Sequence, residues 1–501
     1  EPIIMKRQYL PSDTLPAWLL LNGITTNGVA VQNLDSELGT DKGNAVVATA
    51  DKQDQRESDV LLHVPRDLVL SLEEVKNYAK SDQDLREVLE AAGQFGRTMR
   101  GAIMTFLLVQ ITHNSLQGSR KIGVSNPWTE YIKFLSPSFS LPTFWTEEER
   151  ELLRGTSLQA AVEAKLNVME KEFEFFRQAT EKIVWCQQYW WNESSDGLAF
   201  DDWKYVDAAY RSRMLDLPGS GHSMVPCIDM VNHVAGPAVK ALYDTDSEGN
   251  AVLRLREFKT IKRGEEVTIS YGDTKAASEM IFSYGFLDSE IGGTTQVTLD
   301  IEFPEDDPLG MAKKIICQDT LGIRILAFHD PAQPNTLSWT GFGDVNWDSP
   351  LIWWSSVNEE DGLEIGVAQT TDGNKQLEAK WKDVKVESAH QLIELIAAEP
   401  LVEVFQLRAV VLVLGRLETQ LATIRETDEV LKSVQADPAL LAGICRPEIY
   451  DMISRLRGLE AALLQQAVEE LMQQQTELMK SETVAAYLNA QSQAEEVEDF
   501  S

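Results

Sequence analysis

Two neighbouring stretches decide how this chain reads: GHSMVPCIDMVNH over Gly221–His233, and GEEVTISYGDTKAASEMIFSYGFL over Gly264–Leu287. Asn232-His233 follows directly on an apolar run. Ser270-Tyr271-Gly272-Asp273 closes an alternating strand and opens a turn, and a second Tyr-Gly pair, Tyr284-Gly285, comes thirteen residues after the first. On residue type alone each feature has an ordinary reading. A strand-end tyrosine packs on a core, although its hydroxyl can also donate, accept or act as a weak base with a pKa of about 10. His233 could be a satisfied core histidine, a ligand or a general base. Cys227 beside His233 has no oxyanion loop and no third orienting group, so a Cys/His nucleophile is not supported.

Working outward, strands are predicted at His222–Val225, Ala238–Asp244, Val252–Phe258 and Glu266–Tyr271, with Ser247-Glu248-Gly249-Asn250 as a hairpin turn. Upstream the pattern is helical. Asp201–Met214 and the long amphipathic run Leu158–Tyr189 predict helices, and Glu147–Arg150 starts another. Met99–Thr112 is apolar on nearly every side, as a buried helix is. Asn126–Phe144 is an aromatic loop or short-helix region.

The first 70 residues differ, with strands at Gly28–Leu34, Ala45–Thr49 and Val60–Val64, a loop at Gly39–Asn44, and a capping box at Ser71-Leu72-Glu73-Glu74. Downstream come a strand at Gln296–Phe303, a helix at Pro308–Leu326, a small β-excursion within Ser338–Lys382, and helices from Ser388. The class is α+β. The chain divides into an N-terminal arm and first strand segment (1–75), a helical insert (76–210), a second strand segment (211–290), a mostly helical region with a β-excursion (291–490) and an acidic tail expected to be disordered (491–501).

Composition excludes several function classes. The formal charge is −34, from 79 acidic and 45 basic residues, which opposes the basic face that nucleic acid requires and suits a Lys/Arg-rich protein partner. Four scattered cysteines, Cys186, Cys227, Cys317 and Cys445, form no CxxC, so no metal site is expected and the compartment should be reducing, cytoplasmic or also nuclear. No apolar run reaches the ~18 residues of a membrane helix. The chain begins with Glu, with no charged and apolar leader pattern, and a preceding targeting segment stays open. A phosphate loop, a GxSxG elbow, an HExxH helix and a dinucleotide fingerprint are all missing.

Taken together, the order of strands, helical insert, NH pair, GEE with YGD, then YGF resembles the SET-domain protein methyltransferases. Within them it is most similar to the subgroup of the Rubisco large-subunit lysine methyltransferase, whose SET fold of short β-strands is interrupted by a helical insert and followed by a mostly α-helical substrate-binding domain. The matching residues are Lys42-Gly43-Asn44-Ala45-Val46-Val47-Ala48, Val60-Leu61-Leu62-His63-Val64-Pro65, Arg211-Ser212-Arg213, Val225-Pro226, Asp229-Met230-Val231-Asn232-His233 and Ile269-Ser270-Tyr271-Gly272-Asp273.

The resemblance implies S-adenosyl-L-methionine as cofactor and a protein lysine, on a basic non-histone substrate, as target. Lys42, Gly43 and Asn44 would form an opening turn touching the cofactor's methionine part. Asn232 and His233 would bind its amino-acid and adenine portions. Arg213 would lie near its carboxylate, and Asp229 would shape that turn. Tyr271 would be the catalytic tyrosine, beside the cofactor. Tyr284, Phe286 and Leu215 would line the channel for the target side chain. A monomer without nucleic acid or membrane is expected. Departures are Val234 where Ser is frequent, Ala45 where a second glycine is frequent, and Met214-Leu215-Asp216 after Arg213. The last lies at the target channel, so substrate identity does not carry over. Histidine as target, or a non-catalytic binding module, are the alternatives.

Overall fold

The computed structural model describes residues 7–35, 41–53, 60–115, 120–192, 197–272, 275–288, 294, 296–301, 306–318, 322–327, 346–369 and 374–498. Gly39-Thr40, Asp273, the start of the β-excursion at 338–345 and the last three residues lie outside them. The chain forms two compact units: 1–145 with 162–274 and 281–288, and 146–161 with 275–280 and 289–501. Residues 146–161, inside the helical insert by sequence, thus belong with the C-terminal part.

The first unit is built by strands from either side of the insert. An antiparallel sheet runs in the order Thr25–Thr26, Val60–Val64, Ala251–Leu255, Ala241–Thr245. Val60–Val64 is aliphatic at four of five positions and is stopped by Pro65, which carries no N–H to continue the ladder. Its neighbour in the sheet is almost 190 residues away in sequence: Leu62 lies opposite Leu253, and His63 opposite Val252. Val47 bridges to Glu266, and Lys52–Gln53 pairs with Thr260–Ile261. The helical insert packs on this frame. Met99–Asn114 is capped by Thr98, whose hydroxyl accepts from the Gly101 N–H at 3.0 Å, and every residue from Gly101 to His113 is buried.

Several predicted elements are shifted. The long helix expected over Leu158–Tyr189 is two, Ser157–Thr180 and Val184–Tyr189. The break comes where the Thr180 hydroxyl turns back to the Phe176 carbonyl and accepts from the Trp191 indole N–H at 3.0 Å. Helix after Pro308 covers only Gly310–Ile316. Ile323–Leu326 is a strand with Ile323 and Ile325 buried, a period of two that the apolar run concealed. Met214, expected as the last residue of a helix, instead opens the strand Met214–Leu217, which pairs with Gly221–Met224, close to the strand predicted at His222–Val225. The acidic tail is helical as far as Glu498, in a segment, Glu482–Glu498, dominated by Ala, Gln and Glu.

In the second unit, Gln296–Leu299, Ile323–Leu326 and Asn346–Asp348 form one antiparallel sheet, and Leu363–Gln369, Lys375–Trp381 and Val384–Val386 another. Two long helices, Val402–Gln435 and Pro447–Met479, pack against each other around Val413, Leu417, Ile424, Leu464 and Ala467. Residues 146–161 are clamped to them by charged groups. Buried Arg457 donates to the carbonyls of Leu152 (3.2 Å), Arg154 (2.6 Å) and Ile424 (2.7 Å) and pairs with Asp428. Glu149 takes both arms of Arg446, each at 2.8 Å. Arg–carboxylate forks of this kind fix geometry as well as adding attraction.

Candidate active site

The site forms where four short segments of the first unit meet. Asn232–His233 pairs in parallel with Thr268–Ile269, setting Asn232 opposite Thr268 and His233 opposite Ile269. The Val234 N–H continues the ladder to the Ile269 carbonyl at 3.1 Å. This register carries the chain on to Tyr271, whose backbone N–H donates to Nδ1 of His233 at 2.9 Å. An acceptor Nδ1 leaves the proton of a neutral imidazole on Nε2, so the backbone selects the tautomer. The Tyr271 hydroxyl donates to the Val231 carbonyl at 2.7 Å. Burial pushes its pKa above the ordinary tyrosine value, against the pull of Arg213, so the hydroxyl stays protonated.

Aromatic rings surround it. Tyr284 lies 4.5 Å from Tyr271 between ring centroids, His233 5.1 Å and Phe286 6.4 Å. Gly285 makes this possible: it sits at φ +78°, and a Cβ there would meet the Ser140 carbonyl oxygen at 2.8 Å. Arg211 fixes the same turn, donating to the Phe282 carbonyl at 2.9 Å.

A narrow cavity of about 40 Å³ opens beside these rings, lined by Tyr271, Tyr284, Leu215, Arg213, Tyr243 and Val231 among others. A volume of this order suits a slender side chain and is far below the several hundred Å³ of a nucleoside pocket. The sequence places Tyr284 and Leu215 on the target channel, and both do line this cavity. Phe286 is not among the lining residues and packs on their rings instead.

Arg213 and Asp229 form the charged wall. Arg213 lies 3.5 Å from an Asp229 carboxylate oxygen and also donates to the Asp229 carbonyl at 3.2 Å. Burial opposes the charge of Arg213, but Asp229 and nearby tyrosines outweigh it and hold the guanidinium above its ordinary value. Burial raises the Asp229 carboxyl, against the same arginine. Tyr131 completes the group. Its hydroxyl donates to Asp229 at 2.5 Å and accepts from the Cys227 N–H at 2.9 Å. Cys227 itself is held at φ +68°, a left-handed conformation unusual for a side chain with a Cβ.

The opening segment differs from expectation. Gly43 and Asn44 are not in a loop but in the strand Asp41–Ala48, where Asn33 faces Asn44 and Asp35 faces Asp41. One extra residue on the second strand makes a bulge at Lys42–Gly43, and Gly43 takes φ +74°. The physical reason is that a bulge gives the local turn without ending the ladder. The Lys42 side chain lies outside the described residues. The strand is tied to the rest of the site through the Val267 N–H, which donates to the Val46 carbonyl at 2.8 Å.

Sequence reading missed two supports. Glu266 accepts from the Asn232 amide at 2.7 Å, and Tyr131 holds Asp229. Glu266 stands in the GEE that enters the motif order and opens a predicted strand, but the sequence assigns it no role of its own. Nothing local marks Tyr131, which lies in the insert, 98 residues before its partner.

The residues present fit S-adenosyl-L-methionine. Arg213 Nε is buried without a hydrogen-bond partner among the described residues, as a donor awaiting a carboxylate would be. Among the described residues, an added Cβ at Gly43 would meet nothing within 4 Å, beside a backbone already turned by the bulge. Among the described residues no group of His, Cys, Asp and Glu could hold a metal ion.

Known proteins share this fold. Solved structures of Rubisco LSMT, one bound to AdoMet and one to sinefungin and monomethyllysine, superpose with a TM-score of 0.56, covering 94% of this chain and 93% of theirs at 18% identity. The chain has the SET fold in its split, Rubisco LSMT-like form. The Ctm1 family, cytochrome c lysine N-methyltransferase 1, matches residues 142–306 of this SET-domain chain. SET domain-containing protein 8 of Schizosaccharomyces pombe is 26% identical over 54% of this chain and 58% of its own length. The chloroplastic [fructose-bisphosphate aldolase]-lysine N-methyltransferase of Arabidopsis thaliana is 28% identical over 44% of this chain and 42% of its own. An actin-histidine N-methyltransferase of Gallus gallus is 22% identical over 58% and 45%. The SET-domain chain spans about half the length of the curated relatives it matches.

Proposed function

We propose that this SET-domain chain is a protein-lysine N-methyltransferase that uses S-adenosyl-L-methionine and acts on a non-histone protein. The observation that carries the reading is the Tyr271 hydroxyl, committed to the Val231 carbonyl, on the wall of a small cavity that Tyr284 and Leu215 also line. When bound, the cofactor supplies a methyl group on a sulfonium, ready for transfer to a nucleophile. Arg213, Asn232, His233 and the Gly43 bulge would hold it.

The chain's own residues then have three tasks. First, a lysine ammonium cannot attack, so the site must favour the free amine. The aromatic walls formed by Tyr271, Tyr284 and Tyr243 strip water from it, and loss of water disfavours the charged form. Second, the narrow cavity fixes the direction of approach, which supplies rate through positioning. Third, Tyr271 has spent its proton on Val231, so its oxygen offers lone pairs toward the cavity, where partial positive charge develops.

The similarity to aldolase-lysine and cytochrome c lysine N-methyltransferases supports a non-histone target. The formal charge of −34 supports a basic protein and argues against nucleic acid. We take the monomer as the working unit. The four cysteines, all buried and none in a disulfide, support a reducing compartment, cytoplasmic or nuclear. The actin-histidine relatives support a second target, a histidine. Incubation of the chain with labelled cofactor and cell lysate, followed by mass spectrometry of the labelled residue, tests both. A labelled lysine on a non-histone protein is expected, and a labelled histidine overturns the lysine assignment.

A further inference from the structure

Tyr284 stands at the end of the helix Ala277–Tyr284, where the Gly285 N–H closes the last turn on the Ile281 carbonyl at 2.9 Å. The next carbonyl, that of Phe282, is among those a helix end leaves without a helical donor. Arg211 supplies one. Its Nη1 donates to the Phe282 carbonyl at 2.9 Å, and its guanidinium lies 4.4 Å from the centroid of the Phe282 ring. Its Nη2 donates to the Thr143 hydroxyl at 3.2 Å. Thr143 follows three residues after Ser140, whose carbonyl oxygen lies against Gly285. One guanidinium thus joins the turn that carries Tyr284 to the segment packed beneath it.

Asp207 aims that guanidinium. It stands one helical turn before Arg211 on Phe200–Arg213, with Oδ2 3.2 Å from Arg211 Nη2. Its other oxygen takes Arg100 at 2.7 Å and Lys165 at 2.8 Å, and Glu172 takes a second arm of Arg100 at 2.7 Å. The Asp207 side chain is fully buried. Burial alone would raise its carboxyl, but Arg211, Lys165 and Arg100 outweigh it and hold the group below the ordinary aspartate value. A buried ion cluster is a poor way to stabilise a core, because apolar residues of the same volume often do as well or better. What apolar residues cannot do is point a charged fork at a chosen carbonyl.

We propose that Asp207 is a positioning residue for methyl transfer, setting the turn Tyr284–Phe286 through Arg211 and with it the wall along which the target side chain lies. The inference rests on the methyltransferase reading. Tyr284 lines the cavity with its ring 4.5 Å from that of Tyr271, whereas Asp207 and Arg211 are not among the lining residues. A shift of the turn therefore changes the space beside the phenol oxygen without altering any group that touches the substrate. Misplacement of a reacting group by about 1 Å can cost about 100-fold in rate. The cofactor end is held separately, since Arg213 pairs with Asp229.

Three variants of the full chain test this. Arg211→Lys keeps a cation beside Asp207 but loses the fork that reaches both Phe282 and Thr143. Asp207→Asn keeps the shape and removes the charge. Glu172→Gln disturbs the same cluster through Arg100. Transfer from labelled S-adenosyl-L-methionine to lysate protein, at saturating lysate, should fall about tenfold or more in the first two and less than about twofold in the third. Calorimetric affinity for S-adenosyl-L-methionine should change less than about threefold in all three. Hydrogen exchange of residues 282–286, read by mass spectrometry, should speed up by about tenfold in the first two only. A merely structural role would move all three variants together, in step with their stability to denaturant.

Unchanged transfer and exchange in Arg211→Lys overturns the proposal, and so does an equal loss in Glu172→Gln. A loss of cofactor affinity as large as the loss of transfer also overturns it, because the cluster would then act on Arg213. Should Asp207→Asn fail to fold, Arg211→Lys decides alone. A wild-type chain that binds no S-adenosyl-L-methionine would remove the methyltransferase reading, while exchange in the variants would still decide whether Asp207 holds the turn.

Discussion

The hydroxyl of Tyr271 donates to the carbonyl of Val231 across 2.7 Å, joining the last strand of the site to the residue just before Asn232. One hydrogen bond thus does two things. It aims the phenol oxygen, and it ties the YGD segment to the NH segment, which the parallel pairing of Ile269 with His233 also joins.

Tyr271→Phe keeps the ring packing on Tyr284 and removes only the oxygen. Methyl transfer should fall by about 100-fold or more, the usual scale for one preorganised polar group at a reacting centre. S-adenosyl-L-methionine affinity, measured by calorimetry, should change less than about threefold. Near-normal turnover would remove Tyr271 from its role.

Glu266 acts through Asn232. Its carboxylate accepts from the Asn232 amide at 2.7 Å and so decides which way that amide points. Glu266→Ala should weaken cofactor binding by about 10-fold, on the scale of losing a residue that orients a ligand-binding side chain. Glu266→Gln retains an acceptor oxygen and should restore most of the affinity. Equal loss in both variants would mean that the charge, not the orientation, matters.

Tyr131→Phe tests the support beneath Arg213. The change leaves the buried Cys227 N–H without its acceptor and removes one donor from Asp229. Unsatisfied buried groups cost roughly 1–3 kcal/mol each, so denaturant unfolding of the first unit should show a loss of that order. A variant as stable as the wild type would show that water replaces the hydroxyl.

How much of this was legible in the sequence depends on distance along the chain. Tyr271, His233, Arg213 and Asp229 could be singled out because each stands in a short segment whose order and spacing resemble a known family, and the structure brings the four together. Residues 60–64 read as a strand from their aliphatic run and Pro65. Their pairing with 251–255 did not, since register across so long a separation leaves no local trace. Tyr131 was invisible for the same reason. The break at Thr180 was missed because it depends on a hydroxyl turning back to a carbonyl, which helical periodicity does not report. Ile323–Leu326 was misread because a short apolar run fits helix and strand alike.

Glu460 should give the second unit a pH dependence of its own. It is nearly fully buried on the helix Pro447–Met479, accepts from the Ser157 N–H at 2.8 Å and lies in short contact with the Ser157 hydroxyl. Burial pushes its carboxyl up to about 7 from an ordinary 4.5, although Ser157 and Arg457 pull the other way. A carboxyl raised on folding favours the folded state when protonated. Its contribution is therefore complete below about pH 4.5 and is lost as pH rises through about 7. The span of about 2.5 units corresponds to roughly 3 kcal/mol. Glu460→Gln keeps an acceptor for the Ser157 N–H and a donor for its hydroxyl, and it carries no charge at any pH. The variant should match the wild type near pH 4 and exceed it in stability at pH 8, with the difference opening between pH 5 and 8. Chemical denaturation of the full chain at each pH reads this as a difference between two proteins, so every other titrating group cancels. A difference that stays flat across that window would mean that Glu460 is ionised in the folded chain at all these pH values, with Arg457 and the Ser157 donors outweighing its burial.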